Sequence, residues 1–259
     1  MRKLRRQTGG RDVRMLELLT RELFGGGLPG EAMRQAESAQ VAMMTWLYDF
    51  YVERPPGEAN IRVLESTTER EGWELPYAVV AVATDDRPFL VDSVSIAIAE
   101  CDTAAQAVFH PEFEIRRDES GRLRPLTEDG DDAQRESLML FWIERPVPEA
   151  TVREITERIE TALSDVESAV GDWRQMRQRA EDLVAALESE VLPEKERTEA
   201  QQFLRWMADN HFTFLGYREY VAEPLDGDRV LKLQPDTGLG ILRAERKRGR
   251  MRSIPDLEA

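Results

Sequence analysis

The apolar positions of this chain change period several times, and each change marks an element. Residues 12–24 (DVRMLELLTRELF) repeat at helical spacing, and GGGLPG at 25–30 stops that helix. A second helix is predicted over about 31–52, through Val41, Met44, Trp46, Leu47 and Tyr48, with Arg54-Pro55-Pro56-Gly57 as its breaker. Residues 61–65 read as a short strand and lead through a polar link to Trp73. Residues 77–83 are apolar throughout and too short for an ordinary helix, so they read as a buried strand. A polar turn, Thr84-Asp85-Asp86-Arg87-Pro88, follows; then Leu90, Val94, Ala97, Ile98 and Cys101 fall on one helical face. In this reading Asp85 and Asp86 cap the helix and Pro88 sits in its first turn.

Residues 107–116 (AVFHPEFEIR) alternate, with Phe109, Phe113 and Ile115 on one face and His110, Glu112 and Glu114 on the other, as in a strand with one wet face. A loop rich in Asp and Gly spans 118–135, and 138–143 (LMLFWI) is a continuous apolar strand. Pro148 opens a helix with the stripe Val152, Ile155, Ile159, Leu163, Val166 and Val170. Separate helices are predicted over 172–191 and 194–209, the latter closed by Asn210. Residues 211–221 (HFTFLGYREYV) read as a strand, with 230–233 as its hairpin partner. The order strand, helix, strand, strand, helix is most of a ferredoxin-like βαββαβ unit, and 61–64 is a candidate for the fourth strand. The fold class is α+β: a helical segment at 1–58, the ferredoxin-like unit at 59–170, a helical connector at 171–210, and the start of a second small sheet domain at 211–259, expected to be truncated.

Composition narrows the function. The chain of 259 residues carries a formal charge of −15, with 41% hydrophobic residues. The ends are basic, +5 over 1–14 and +3 over 243–259, so the interior holds −23. That excess of acid argues against nucleic acid or an anionic membrane as partner. One cysteine, Cys101, excludes an internal disulfide, and no stretch reaches the ~18 apolar residues of a membrane span. The basic N-terminus lacks the apolar stretch of a secretory signal, and a cytoplasmic location is expected.

Candidate chemistry is sparse. Gly25-Gly26-Gly27-Leu28-Pro29-Gly30 matches the string G-x-G-x-x-G, but a helix precedes it where the dinucleotide fingerprint needs a strand. His110 with Glu112 and Glu114 is a conceivable mixed metal site, weighed against a solvated strand face, and no metal site is assigned. No Ser/His/Asp grouping has hydrolase spacing, and no catalytic residue is assigned. The turn Asp85, Asp86, Arg87, Pro88, Phe89 is the candidate effector site: two carboxylates and a guanidinium at a helix start suit the ammonium and carboxylate of an amino acid. The competing reading is a helix cap with a local ion pair.

The wording of several stretches adds to this. TDDRPFLVDSV (84–94) and FLRWMADNHFTFLGYREY (203–220) closely resemble the N-terminal region of the large bacterial NAD-specific glutamate dehydrogenases. ESTTEREGW (65–73), His110-Pro111, ESLMLFWIE (136–144), VGDWRQM (170–176) and GLGILR (238–243) match in the same order. The resemblance implies an ACT-type amino-acid-sensing module. It also implies a parent enzyme that oxidises L-glutamate with NAD and water to 2-oxoglutarate, ammonia and NADH. By the same resemblance the catalytic module lies further along the polypeptide, so this segment is expected to be inactive and without a cofactor of its own. Expected partners are further copies of the chain through sheet edges, the downstream catalytic module and an amino-acid effector. Many ligand-binding ACT modules carry Asp-x-Pro-Gly after the first strand; here the turn is Asp86-Arg87-Pro88-Phe89, and Phe89 would crowd a ligand. The alternative is a stand-alone ACT-type sensing or interaction module.

Overall fold

In the computed structural model, residues 12–25, 36–124, 133–225 and 228–243 are described. The chain divides into two units, Met1–Leu163 and Ser164–Ala259.

The first unit opens with α1 (Val13–Gly25) and α2 (Glu37–Tyr51). Strand β1 (Asn60–Leu64), the short helix α3 (Thr68–Glu71) and β2 (Ala78–Asp85) follow. Next come α4 (Leu90–Ala99), β3 (Ala105–Phe109), β4 (Glu112–Arg117), β5 (Leu123–Arg124) and β6 (Gln134–Ile143). The strands form one sheet in the order β1-β2-β6-β4-β5, with β3 beside β6, and every pairing is antiparallel. The fold is therefore mixed α/β on an antiparallel sheet. β1 lies against the outer side of β2, the register running from Asn60 opposite Ala83 to Leu64 opposite Val79.

Alternation along the strands explains how the sheet is covered. Val79, Ala81 and Ala83 of β2, Leu138, Leu140 and Trp142 of β6, and Phe113 and Ile115 of β4 share one face. They form a single core with Leu16 and Leu19 of α1 and Met44, Leu47 and Tyr51 of α2. The intervening residues Val80, Val82, Met139, Phe141 and Ile143 are equally buried on the opposite face, as are Leu90, Val94 and Ile98 of α4 and Ile155 and Ile159 of α5 (Glu149–Ala186). Arg158 of α5 bonds Glu100 at the end of α4 (2.6 Å), which sets these two helices side by side. Because both faces are covered, β2 and β6 read as unbroken apolar runs.

Several predicted boundaries move. The single alternating strand over 107–116 is two strands, β3 and β4, because Pro111 has no N–H to continue the ladder. The helices predicted over 148–170 and 172–191 are one 38-residue helix, α5. Gly171 is tolerated inside it at a cost of about 1 kcal/mol, less than the packing on either side provides. The helix after the DDRPF turn begins at Leu90, with Phe89 at its N-cap position and no side-chain cap. Asp85 and Asp86 are thus not its caps. GGGLPG lies outside the described residues beyond Gly25, the last residue of α1.

In the second unit α5 runs on to Ala186, followed by α6 (Glu194–Trp206) and a π-helical turn, Met207–His211. Asn210 takes the left-handed conformation (φ 57°), the C-terminal stop expected of it. The predicted strand over 211–221 shrinks to β7 (Gly216–Tyr217), paired with β10 (Leu239–Gly240). The hairpin partner is real but later in register: β8 (Tyr220–Leu225) pairs with β9 (Asp228–Leu233), Tyr220 opposite Leu233.

Candidate functional site

Neighbouring residues of a strand point to opposite faces, and at the end of β2 this sends Asp85 and Asp86 into two different polar clusters. Asp85 stands opposite Glu136 in the β2–β6 register, on the face covered by α1 and α2. Glu136 is fully buried there. Its Oε1 accepts from Arg54 Nη2 (2.6 Å) and Arg117 Nε (2.7 Å), and its Oε2 from Arg117 Nη2 (2.8 Å). Arg54, itself buried, also donates to Asp85 and to the Glu58 carbonyl. Arg117 closes the cluster: its remaining N–H groups donate to the carbonyls of Tyr51 (3.0 Å), Val52 (3.3 Å) and Gly121 (2.7 Å). Two guanidinium groups thus satisfy two carboxylates and the carboxyl-terminal carbonyls of α2, where a cation also suits the helix dipole.

The electrostatics follow from that packing. Burial on its own would raise the Glu136 carboxyl; hydrogen bonds and charge from Arg117 and Arg54 outweigh it and hold the group below the ordinary carboxylate range. Burial pushes the Tyr51 phenol well up, with the Glu136 charge adding to it. The Tyr51 ring lies under the Arg117 guanidinium, 5.2 Å from its centroid.

Asp86 belongs to the other face. Its N–H donates to the Arg135 carbonyl (2.9 Å), and its Oδ1 accepts from Ser137 Oγ (2.7 Å). Since the Ser137 hydroxyl has one proton and gives it to Asp86, it accepts from His110 Nε2 at 3.0 Å. Arg135 completes the group, bonding Glu112 and standing 3.9 Å from Asp86 Oδ2. Asp86, His110 and Glu112 bring their ligand-type atoms within 4.8 Å of one another, a set chemically able to hold a divalent cation. The Arg135 guanidinium sits between the two carboxylates and supplies the positive charge such an ion would bring. Glu114, also weighed for a metal site, is exposed and outside this group.

The rest of the turn is more open. Arg87 is half-buried, 3.6 Å from Asp85 Oδ2, and Pro88 and Phe89 are exposed. Phe89 has φ 72°, the left-handed region in which glycine is unstrained. The backbone therefore has the turn a glycine would make, while the side chain projects half-exposed where glycine would leave an approach. The five residues singled out from the sequence form one turn, but Asp85 and Asp86 already have protein partners. Sequence reasoning missed Arg54, Arg117, Glu136 and Ser137. Glu136 was detectable: it lies two residues before Leu138 on the buried face of an apolar strand, where a charge demands a partner.

A third polar site lies in the second unit and joins two of the quoted stretches. Asp172, in VGDWRQM, is buried; its Oδ2 accepts from the Gly240 N–H (2.8 Å) and Arg243 Nε (3.0 Å), and Oδ1 from Arg243 Nη2. Both donors come from GLGILR. Burial would raise the Asp172 carboxyl, but the Arg243 and Gly240 hydrogen bonds lower it. Gly238 and Gly240 are required here: a Cβ on either would meet a backbone oxygen, at 2.3 Å from Leu242 and 2.2 Å from Leu215.

Residues 19–159 match the family model described as the ACT1 domain of glutamate dehydrogenase. The chain belongs to that family. The match takes in the sheet, most of its helical cover and both polar clusters of the first unit. A NAD-specific glutamate dehydrogenase of Halomonas elongata is 32% identical over 245 residues, 91% of this chain and 15% of its own length. One of Pseudomonas aeruginosa is 33% identical over 180 residues, 67% of this chain and 11% of its own length. One of Mycobacterium tuberculosis is 24% identical over 240 residues, 88% of this chain and 14% of its own length. The ACT1-family chain thus spans between about one-ninth and one-seventh of the length of the curated relatives it matches.

The described residues do not fit the NAD those names imply. Gly25 closes a helix, not a strand, and the strand–turn–helix of β2 and α4 carries acidic residues where phosphate binding needs glycines. No described helix is long and apolar enough to cross a membrane.

Proposed function

We propose that this chain is the N-terminal regulatory and oligomer-forming segment of a cytoplasmic NAD-dependent glutamate dehydrogenase. The parent enzyme passes a hydride from the glutamate α-carbon to NAD, and water releases ammonia from the resulting imine to leave 2-oxoglutarate. The observation that carries this reading is the ACT1 match over 19–159, joined to relatives named for that activity of which the chain covers about one-seventh. The groups for hydride transfer belong to the downstream catalytic module. An absorbance assay of this chain with glutamate and NAD is expected to give no NADH, and measurable turnover overturns the assignment of catalysis elsewhere.

In this reading 59–170 is the ACT-type domain, 1–58 its helical segment, 171–210 a connector, and 211–259 the start of another domain. The sheet is ferredoxin-like, with β1 filling from the N-terminal side the edge position that the fourth strand of βαββαβ would take; the antiparallel β1-β2-β6-β4 order supports this. The outer edge of β1 is where a second copy pairs, and Arg62→Pro should abolish a dimer seen by light scattering. An amino-acid effector is received at Asp85–Phe89 with its carboxylate at the start of α4, whose N–H groups have no side-chain cap. Calorimetry with glutamate, aspartate and branched-chain amino acids tests this. Phe89→Gly should strengthen binding by opening the approach, and no heat with any of them, for either form, removes the sensing role.

A further inference from the structure

Of fourteen large apolar side chains exposed among the described residues, eleven lie in the second unit. Seven of these lie between Phe203 and Leu242, from the end of α6 onward. α6 has no buried residue. Phe203 is 57% exposed, Trp206 47%, Phe212 53%, Leu215 53% and Tyr220 49%. They are ordered nonetheless. Phe203 stacks on Trp206 (6.1 Å, 15°), Trp206 on His211 (5.2 Å, 21°), and Phe212 meets Phe214 edge-on (5.6 Å). Beside them the strands form two separate two-stranded ribbons, β7–β10 and β8–β9. The β8–β9 ribbon falls short of the three strands that a free-standing sheet needs, whereas β7–β10 is tied to α5 through Asp172; the outer edges of both leave backbone donors and acceptors unpaired by strand.

We propose that the aromatic row of α6 and the π-turn, with the open edge of β8–β9, is the docking surface for a later, apolar, strand-bearing segment of the same polypeptide in the longer dehydrogenase chain. This rests on the reading given under the proposed function. Two features select that occupant. The relatives extend this region to a polypeptide some seven times its length, so a covering segment is available in cis at high effective concentration. α6 is charge-balanced, with Glu194, Glu196 and Glu199 against Lys195, Arg197 and Arg205, so its surface selects for apolar area and strand pairing, not for a charged partner.

The test compares this 259-residue chain with the full polypeptide encoded around it, by hydrogen–deuterium exchange. Amides of 203–221 should slow at least tenfold in the full polypeptide. Phe203→Ser with Trp206→Ser should leave the melting temperature of the short chain unchanged and lower that of the full polypeptide by several degrees. If the full polypeptide has glutamate dehydrogenase activity but exchanges as fast over 203–221 as the short chain, the docking surface is refuted while the enzyme assignment stands. A full polypeptide without that activity refutes the assignment on which the surface rests. A concentration-dependent dimer of the short chain that Phe203→Asp with Trp206→Asp dissolves gives the face to a second copy and also overturns the proposal.

Discussion

Glu136 is the residue on which the first unit's polar core depends. Both of its oxygens are taken by guanidinium groups that are themselves buried, so removing the charge strands Arg54 and Arg117 in a site that water does not reach. Breaking a buried pair from one side costs about 3–5 kcal/mol, and Glu136→Ala is expected to lose that much in urea denaturation. The sign of the pH effect follows from the lowered folded-state carboxyl. Its contribution is fully present above the unfolded-state value of about 4.3 and is lost as pH falls through the folded value. Melting followed from pH 7 down to pH 3 should show this loss in the wild type and a flatter profile in Glu136→Gln. Phe89 makes the opposite case. A non-glycine residue in the left-handed region costs about 1–2 kcal/mol, and its ring is half-exposed and returns little packing. Phe89→Gly should therefore raise stability by up to about 1 kcal/mol; a loss of stability would mean that the ring is held by contacts outside this turn.

At the scale of elements, much of the first unit was legible because its periods are clean. β2 and β6 are unbroken apolar runs, α4 keeps its stripe, and β1 lies where 61–64 suggested. What misled were the local signals with two meanings. Asp85-Asp86 before an apolar helix looks like a cap, yet both side chains are drawn to the sheet by partners distant in sequence, Arg54 and Ser137, which no local pattern reveals. Gly171-Asp172 looks like a helix break and cap, yet the helix runs through because Asp172 is used elsewhere, on Gly240 and Arg243. The aromatic-rich 211–221 looks like one strand, but only Gly216–Tyr217 and the residues from Tyr220 find partners. The Asp172 site yields its own prediction. Asp172→Ala removes the acceptor for three hydrogen bonds, so the Gly240 amide should lose its protection from exchange and β7–β10 should fray first. Unchanged protection at Gly240 would mean that the Leu215–Leu242 turn holds this ribbon without the carboxylate.

For the whole molecule, the decisive fact is that the sheet does not own its core. Val79, Ala81, Leu138, Leu140 and Trp142 share one core with side chains of α1 and α2, including Leu16, Leu19, Leu47 and Tyr51, each at most 1% exposed, and with Trp73 and Leu75. One face of the sheet is closed by α4 and α5, and the other is covered by helices that precede it in the chain. A chain starting at Glu58 would strip α1 and α2 from that second face and leave only Trp73, Leu75 and their neighbours over it. It would also lose Arg54, leaving Asp85 without that partner and Glu136 with Arg117 alone, and Arg117 would lose the Tyr51 and Val52 carbonyls that fix it. Burial of each large side chain is worth about 1.5–3 kcal/mol, and whole domains are stable by only about 5–15 kcal/mol, so the loss of several such contacts exceeds the margin. The shortened chain is expected to lack a cooperative thermal transition and to bind a hydrophobic dye, whereas the chain carrying α1 and α2 melts cooperatively. A cooperative, dye-free shortened chain that sediments as a dimer would instead mean that a second copy can take the place of α1 and α2 on this face. That outcome would turn the N-terminal helices from a permanent cover into a competitor for self-association.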